Sequence, residues 1–266
     1  MIPHNESSDN SSDSFVLETQ HIEVENSSKS KHKWTGRNRL FSESYIHDEH
    51  LHTVEKIFHR LHIGTLLSEC GFNKLWGIST TLLMLVLILS PFSGNKSVNG
   101  FFTGHLKEIM PFHRASLYRF AKSAFNWSLL TRHISKNAID EISKNIKPRT
   151  GFLVLDDTLI ERHSCELLAR IFDHNKHCYM KGFLSLLLGW TDGTSFITVD
   201  NKTISSPNKE SRYTEASKKY DGRTIGAKVR KEATSKTKLA VKMVKAAIRA
   251  GIKAKYMLMD SWFLSS

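Results

Sequence analysis

The sequence is poor in the features that mark an exported, disulfide-stapled or membrane-spanning protein. Its three cysteines, Cys70, Cys165 and Cys178, are sparse and odd in number, which argues against a disulfide framework and for a reducing, cytoplasmic compartment. The N-terminus lacks the basic-then-apolar order of a secretory signal; it is polar and acidic. The longest apolar run, Leu82–Leu89 (LLMLVLIL), has eight residues. That is far short of the roughly 20 that span a bilayer, so it predicts a buried helix and no membrane partner. No glycine-rich phosphate loop occurs, which leaves an ATP-driven motor without support. Residues 1–28 contain no Lys or Arg at all.

This last absence concentrates positive charge elsewhere. The chain has 38 Lys+Arg against 26 Asp+Glu, a net charge of +12, and six of the acids (Glu6, Asp9, Asp13, Glu18, Glu23, Glu25) sit in the stretch without cations. The remainder is therefore more basic than the total suggests and predicts a polyanionic partner, nucleic acid or an anionic membrane surface, between which charge alone does not choose. With 266 residues and 40% hydrophobic content, the chain can form one large or two small domains with a sizeable core. Eight serines in the first 32 residues, together with the acids, predict a flexible polar tail over residues 1–50. The tail turns basic at Lys29, Lys31, Lys33, Arg37 and Arg39.

Residues 51–148 read as a helical, DNA-binding region. Val54, Ile57, Phe58 and Leu61 fall at helical spacing, as do Leu117, Phe120, Ala121 and Ala124. Breaks at Gly77, Pro91 and Pro111 divide the region into short helices. The segment Arg114–Lys122 follows a proline, with Ser116 near its predicted N-cap and with Arg114, Arg119 and Lys122 around an apolar stripe. The pattern fits a helix that reads DNA. It also fits a surface helix with ordinary cations, because no turn signature fixes a helix-turn-helix.

Beyond Pro148 the texture becomes that of strands. Gly151–Leu155 is a short aliphatic run ending at Asp156 and Asp157. Tyr179–Trp190 is a second strand, Thr191–Thr194 a hairpin turn, and Ser195–Val199 opens a third. A helix over about Ser235–Ala250 precedes a fourth strand, Ala254–Met259, which ends at Asp260. The predicted order is β-β-β-α-β, an α/β domain over residues 149–266. If the first and fourth strands pair in parallel, their terminal aspartates lie side by side at one sheet edge. Such hard oxygen donors can hold divalent ions for phosphoryl transfer. The plainer alternative makes Asp156-Asp157-Thr158 a strand-end turn and Asp260-Ser261 a helix cap.

Between Asn201 and Lys255 there are 16 Lys/Arg and four acids. On the helix, Lys238, Lys242, Lys245 and Arg249 form a basic stripe, with Val241, Val244 and Ile248 as an apolar stripe toward the sheet. The loop cations Arg212, Lys218, Lys219, Arg223, Lys228, Arg230 and Lys231 repel one another without a counter-charge, which predicts contacts with DNA phosphates. His163, Cys165, His174, His177 and Cys178 lie within 16 residues, but their spacings match no familiar zinc pattern. Glu161 and Glu166 follow the first aspartates closely, and Glu161 also fits a cap or a pair with Arg162.

The stretches Leu153-Val-Leu-Asp-Asp-Thr158, Lys181-Gly-Phe183 with Leu188-Gly-Trp-Thr-Asp-Gly193, and Met257-Leu-Met-Asp-Ser-Trp-Phe263 occur in that order after Ser116–Phe120 and Trp127. Together they resemble the DDE transposases of bacterial insertion sequences, in particular the insertion-sequence-four-like group. The resemblance runs from about residue 57 to the last residue. It implies an incomplete ribonuclease-H-like catalytic core that cleaves and transfers DNA strands with Mg²⁺ or Mn²⁺. It places the first catalytic, metal-binding aspartate on Asp157, with Asp156 as the one-place alternative, and the second on Asp260. It implies double-stranded DNA as partner, both element terminal repeats and target, and a homodimer that joins two ends. The family's third acid, a glutamate in a Tyr-x2-Arg-x3-Glu-x6-Lys signature, has no counterpart, and neither does the β-rich insertion before it. The resemblance therefore implies a C-terminally truncated polypeptide, catalytically defective alone. The alternative from another class is a non-catalytic DNA-binding regulator that occupies element ends.

Overall fold

The apolar run Leu82–Leu89 forms the body of a buried helix. The structure, a computed structural model, describes residues 49–73, 77–93, 98–103, 112–145, 151–173, 176–206, 208–232 and 235–263, all within one compact unit. The predicted tail over residues 1–50 thus lies almost wholly outside the described residues, as do Pro111 and Pro148. The N-terminal part consists of α1 (Glu49–Arg60), α2 (Ile63–Glu69), α3 (Thr80–Leu89), α4 (Val98–Thr103), α5 (Arg114–Ala121) and α6 (Trp127–Asn145).

Helix α3 begins where the Ser79 hydroxyl accepts the Thr81 N–H at 3.2 Å. Apolar around its whole circumference, it buries Leu82, Leu83, Met84, Leu85, Val86 and Leu89. Phe58, Leu67, Phe72, Leu117 and Phe120 close around it. The Phe72 ring stacks on Phe125 at 4.5 Å and meets Trp127 edge-on at 4.9 Å. Each such side chain contributes about 1.5–3 kcal/mol through burial. Among the described residues, no helix is long and apolar enough to cross a membrane.

Two local expectations change here. The cap of α5 is His113, whose Nδ1 accepts the Ala115 N–H at 3.1 Å, so Ser116 lies inside the helix. In the two helical stripes, Ile57, Ala121 and Ala124 are exposed, and burial falls on Phe58, Leu117 and Phe120. Helices packed along one side bury a narrower strip than their spacing admits.

The C-terminal part holds β1 (Phe152–Glu161), β2 (Ala169–Asp173), β3 (Cys178–Thr191), β4 (Phe196–Ile204) and β5 (Tyr256–Met259). Helices α7 (Ile225–Lys231) and α8 (Lys236–Arg249) lie between β4 and β5 in sequence. Strand β3 is antiparallel to β1 along one edge and to β4 and β2 along the other. Strand β5 pairs with β1 in parallel, which gives the order β4-β3-β1-β5 across the sheet. The molecule is thus mixed α/β, with an N-terminal helical region and an open C-terminal sheet.

The sheet departs from the predicted β-β-β-α-β in three ways. First, β1 does not stop at Leu155. Its pairing with β3 continues to Glu161↔Gly182, so Asp156 and Asp157 lie inside the strand, not after it. Second, residues 169–173, which carry no strand in the predicted order, form β2. The Arg170 guanidinium lies 4.0 Å from the centre of the Tyr179 ring, and Phe172 meets that ring edge-on at 5.2 Å. These cross-strand contacts hold a short strand that carries little apolar signal of its own. Third, α8 buries Ala240, Met243 and Ala247, whereas Val241 and Ile248 of the predicted inner stripe are 47% and 60% exposed. The small alanines let the helix backbone come close to the sheet.

Helix α6 ties the two parts together. Its Leu130 belongs to the helical core and its Ile139 to the sheet core. Between them Arg132 pairs with Asp200 at 2.5 Å, and the Ser135 hydroxyl donates to the Thr198 carbonyl at 2.6 Å. Both partners sit where the β3–β4 register shifts from Leu188↔Asp200 to Gly189↔Thr198. This bulge frees β4 groups for the helix.

Candidate functional site

Strand alternation separates the two adjacent aspartates. Leu153 and Leu155 are buried opposite Trp190 and Leu188, and the next residue of the same row, Asp157, stands opposite the fully buried Leu186. Asp157 therefore belongs to the inward row, whereas Asp156 is exposed on the other face. The Oδ1 of Asp156 accepts the Asp157 N–H at 2.8 Å.

A carboxylate in an apolar row requires a counter-charge. Lys236 supplies it: Nζ lies 3.2 Å from Oδ1 and 3.2 Å from Oδ2 of Asp157. Lys236 is the first residue of α8, whose N-cap Ser235 accepts the Lys238 N–H at 3.2 Å.

Asp260 reaches the same neighbourhood through the parallel pair. The register runs from Phe152↔Tyr256, whose rings stack at 5.6 Å, to Leu155↔Met259. Asp260 follows Met259 directly, and Asp157 lies two residues past Leu155. Adjacent strands are about 4.8 Å apart, and the register brings Asp260 level with Asp156, one residue before Asp157. Asp260 opens a 3₁₀ turn, Ser261–Phe263, in which its carbonyl accepts the Phe263 N–H at 3.1 Å. Its Oδ1 accepts the Ser261 hydroxyl at 3.2 Å. The buried Phe263 ring lies 4.7 Å from the Lys236 ammonium. One ammonium thus touches both Asp157 and the turn that starts at Asp260.

This donor set suits a hard divalent cation, since it offers carboxylate oxygens and already holds one positive charge between two of them. Among the described residues, no three His, Cys, Asp or Glu side chains converge as a metal cluster. Of the histidine–cysteine group, His174 lies outside the described residues, and Cys178 is exposed with its Sγ 3.8 Å from Met180 Sδ. Glu161 is exposed at the far end of β1. Glu166 is engaged elsewhere: its Oε2 accepts the hydroxyl of Thr224, the N-cap of α7, at 2.7 Å.

The expected DNA-contacting cations divide into two groups. Arg230 is buried, and its guanidinium donates to the carbonyls of Leu168 at 3.1 Å, Thr214 at 3.0 Å and Ser206 at 3.3 Å. Burial pushes its pKa down, with nearby Arg212 adding to the effect. Arg212 is also mostly enclosed; its Nε donates to the Ser206 carbonyl at 3.1 Å, and it pairs with Glu215 at 3.7 Å. These two arginines bind loop carbonyls from within and are not presented to a phosphate. For Arg212 and Arg230, the expected contact with DNA phosphates is thereby replaced by contacts inside the fold.

Arg114, Arg119, Lys122, Lys218, Arg223, Lys231, Lys238 and Lys242 are exposed, and Lys228 is half-buried. Arg114 bonds Asn99, Arg119 donates to the Ala115 carbonyl at 3.3 Å, and Arg223 lies 3.3 Å from Asp221. The side chain of Lys219 lies outside the described residues. Lys122, Lys228 and Lys231, from segments a hundred residues apart, line one cleft of about 880 Å³ between the α5–α6 turn, β4 and α7. Lys202 joins them, its Nζ 2.5 Å from the Ser128 hydroxyl. Neither Lys202 nor Lys236 was distinguishable in sequence from other lysines of the basic stretch.

A family model described as DDE superfamily endonuclease matches residues 79–266. The chain belongs to this superfamily. Comparisons with curated proteins and with solved structures gave no match. The DDE superfamily match begins at the residue that caps α3, later than the residue 57 expected from the motifs. It takes in every described strand, Asp157, Asp260 and the cation-lined cleft. Membership brings with it the superfamily's general expectation of a divalent metal and of DNA as partner.

Proposed function

We propose that the chain is a DDE transposase of the insertion-sequence type, in which Asp157 and Asp260 are two metal-holding carboxylates of a ribonuclease-H-like core. The observation that carries this is the parallel register Leu155↔Met259, from which both acids extend. The order β4-β3-β1-β5, with α8 between β4 and β5 in sequence, is the arrangement such a core requires.

Mg²⁺ or Mn²⁺ bound there would activate a water or 3′-hydroxyl and stabilise the leaving oxygen of a phosphodiester. The chain's own residues hold the frame. Pairing of β1 with β3 fixes Asp157, and the turn after β5 fixes Asp260. Lys122, Lys202, Lys228 and Lys231 in the cleft, with Lys238 and Lys242 on α8, contact phosphates of terminal-repeat and target DNA. A homodimer would bring two element ends together.

The test combines Mn²⁺ titration, binding of DNA carrying element ends, and nicking, for the unaltered chain, Asp157→Asn and Asp260→Asn. Mn²⁺ binding that depends on both aspartates, with DNA binding retained in both variants and nicking lost in both, is the expected result. DNA binding with no aspartate-dependent metal binding would instead favour the non-catalytic regulator of transposition.

A further inference from the structure

Lys236 stands where neither helix stability nor surface solvation calls for a cation. It is the first residue of a 14-residue helix whose first turn contains no acid, so its charge faces the positive end of the helix dipole. Its side chain is only 32% exposed, and its ammonium is shared evenly between the two oxygens of Asp157, itself 21% exposed. The ring of Phe263, in the turn that begins at Asp260, lies 4.7 Å away and adds a cation–π contact. The ammonium thus occupies the place of a positive charge between the β1 acid and the β5 turn.

We infer that Lys236 is a resident counter-cation of the site, which a divalent ion must displace from Asp157 before it can bind. The inference rests on the reading of Asp157 and Asp260 as metal-holding carboxylates, and it deepens that reading. Asp157 lies in the inward row of β1, beside apolar neighbours, and would be left there without compensation in a metal-free chain. Lys236 removes this cost and keeps the carboxylate aimed at α8. The same contact lowers metal affinity, because the competent state is only the fraction of molecules in which the ammonium has left. A partly exposed ion pair is weak, so the displacement changes affinity by a modest factor and does not block the site.

The experiment is titration of the full chain with Mn²⁺, following free Mn²⁺ by electron paramagnetic resonance. The proteins are the unaltered chain, Lys236→Met, Lys236→Gln, Lys236→Arg and Asp157→Asn, each checked for folding by circular dichroism. Lys236→Met retains the apolar stem over Phe263, and Lys236→Gln serves if the former does not fold. The expected result is tighter Mn²⁺ binding by about fivefold in the neutral variants, with Lys236→Arg like the unaltered chain. A lysine that only supports the fold would give equal or weaker binding when removed. If binding depends on Asp157 but does not tighten in Lys236→Met or Lys236→Gln, the displacement inference is wrong and the metal site stands. If no protein shows Asp157-dependent binding, the metal-site reading falls and this inference falls with it.

Discussion

Leu155 and Met259 are Cα partners where β1 and β5 run parallel, and each is followed within two residues by an aspartate. The ladder ends at that pair: beyond it Asp157 is held by β3, and Asp260 by the turn that follows β5. The two adjacent acids of β1 face opposite ways, Asp157 toward α8 and Asp156 away from it.

Asp156→Asn should consequently leave Mn²⁺ affinity unchanged, whereas Asp157→Asn should weaken it by about tenfold or more. Calorimetric titration of the two variants side by side checks this. Equal losses would show that strand parity does not select the ligand.

The Arg132–Asp200 pair is the main polar link between α6 and the sheet, with side chains 11% and 2% exposed. Asp200→Ala leaves a guanidinium enclosed without its partner and should cost about 3–5 kcal/mol in urea unfolding. Arg132→Met combined with Asp200→Leu should recover much of that loss, because no charge is then left unpaired.

Arg230 and Lys231 are neighbours with opposite roles. Arg230→Ala removes the donor from four carbonyls, those of Glu166, Leu168, Ser206 and Thr214, and should destabilise the fold by about 3 kcal/mol or more. Lys231→Ala, at an exposed position, should stay within about 0.5 kcal/mol of the parent. Thermal unfolding of both variants distinguishes an internal clamp from a surface cation.

If the cleft carries DNA, removal of Lys122, Lys228 or Lys231 should weaken binding across all sequences. Each lost phosphate contact should reduce the slope of log affinity against log salt by about 0.9. Fluorescence anisotropy at several salt concentrations reads that slope. An unchanged slope in the triple variant would move the DNA away from this cleft.

Glu141 receives hydrogen bonds from Lys144 first and Arg60 second, which hold its carboxyl below the ordinary glutamate range. The folded pKa thus lies below the unfolded one. The associated stabilisation is present above the ordinary value of about 4.3 and disappears as pH falls through the folded value. Glu141→Gln should therefore melt below the parent at neutral pH, with the gap closing in acid. A gap independent of pH would assign the effect to packing alone.

Much of this protein is legible in the sequence because it is local. Eight apolar residues in a row with no polar face can only be a buried helix here, and α3 is one. The aliphatic runs before Asp156 and Asp260 announced two strands, and the DDE superfamily motifs around them follow from chain order alone. Strand parity had to wait for the partner strand. Only the pairing of Asp157 with the buried Leu186 of β3, and the arrival of Lys236 from 79 positions away, separate it from Asp156. The buried face of α8 was decided by how closely its alanines approach the sheet, a contact that spacing cannot rank against Val241 and Ile248. Arg230 reads as one more loop cation until the carbonyls of three distant segments enclose it. Periodicity records which residues share a face, but burial and charge compensation depend on what that face meets, and tertiary structure supplies the meeting.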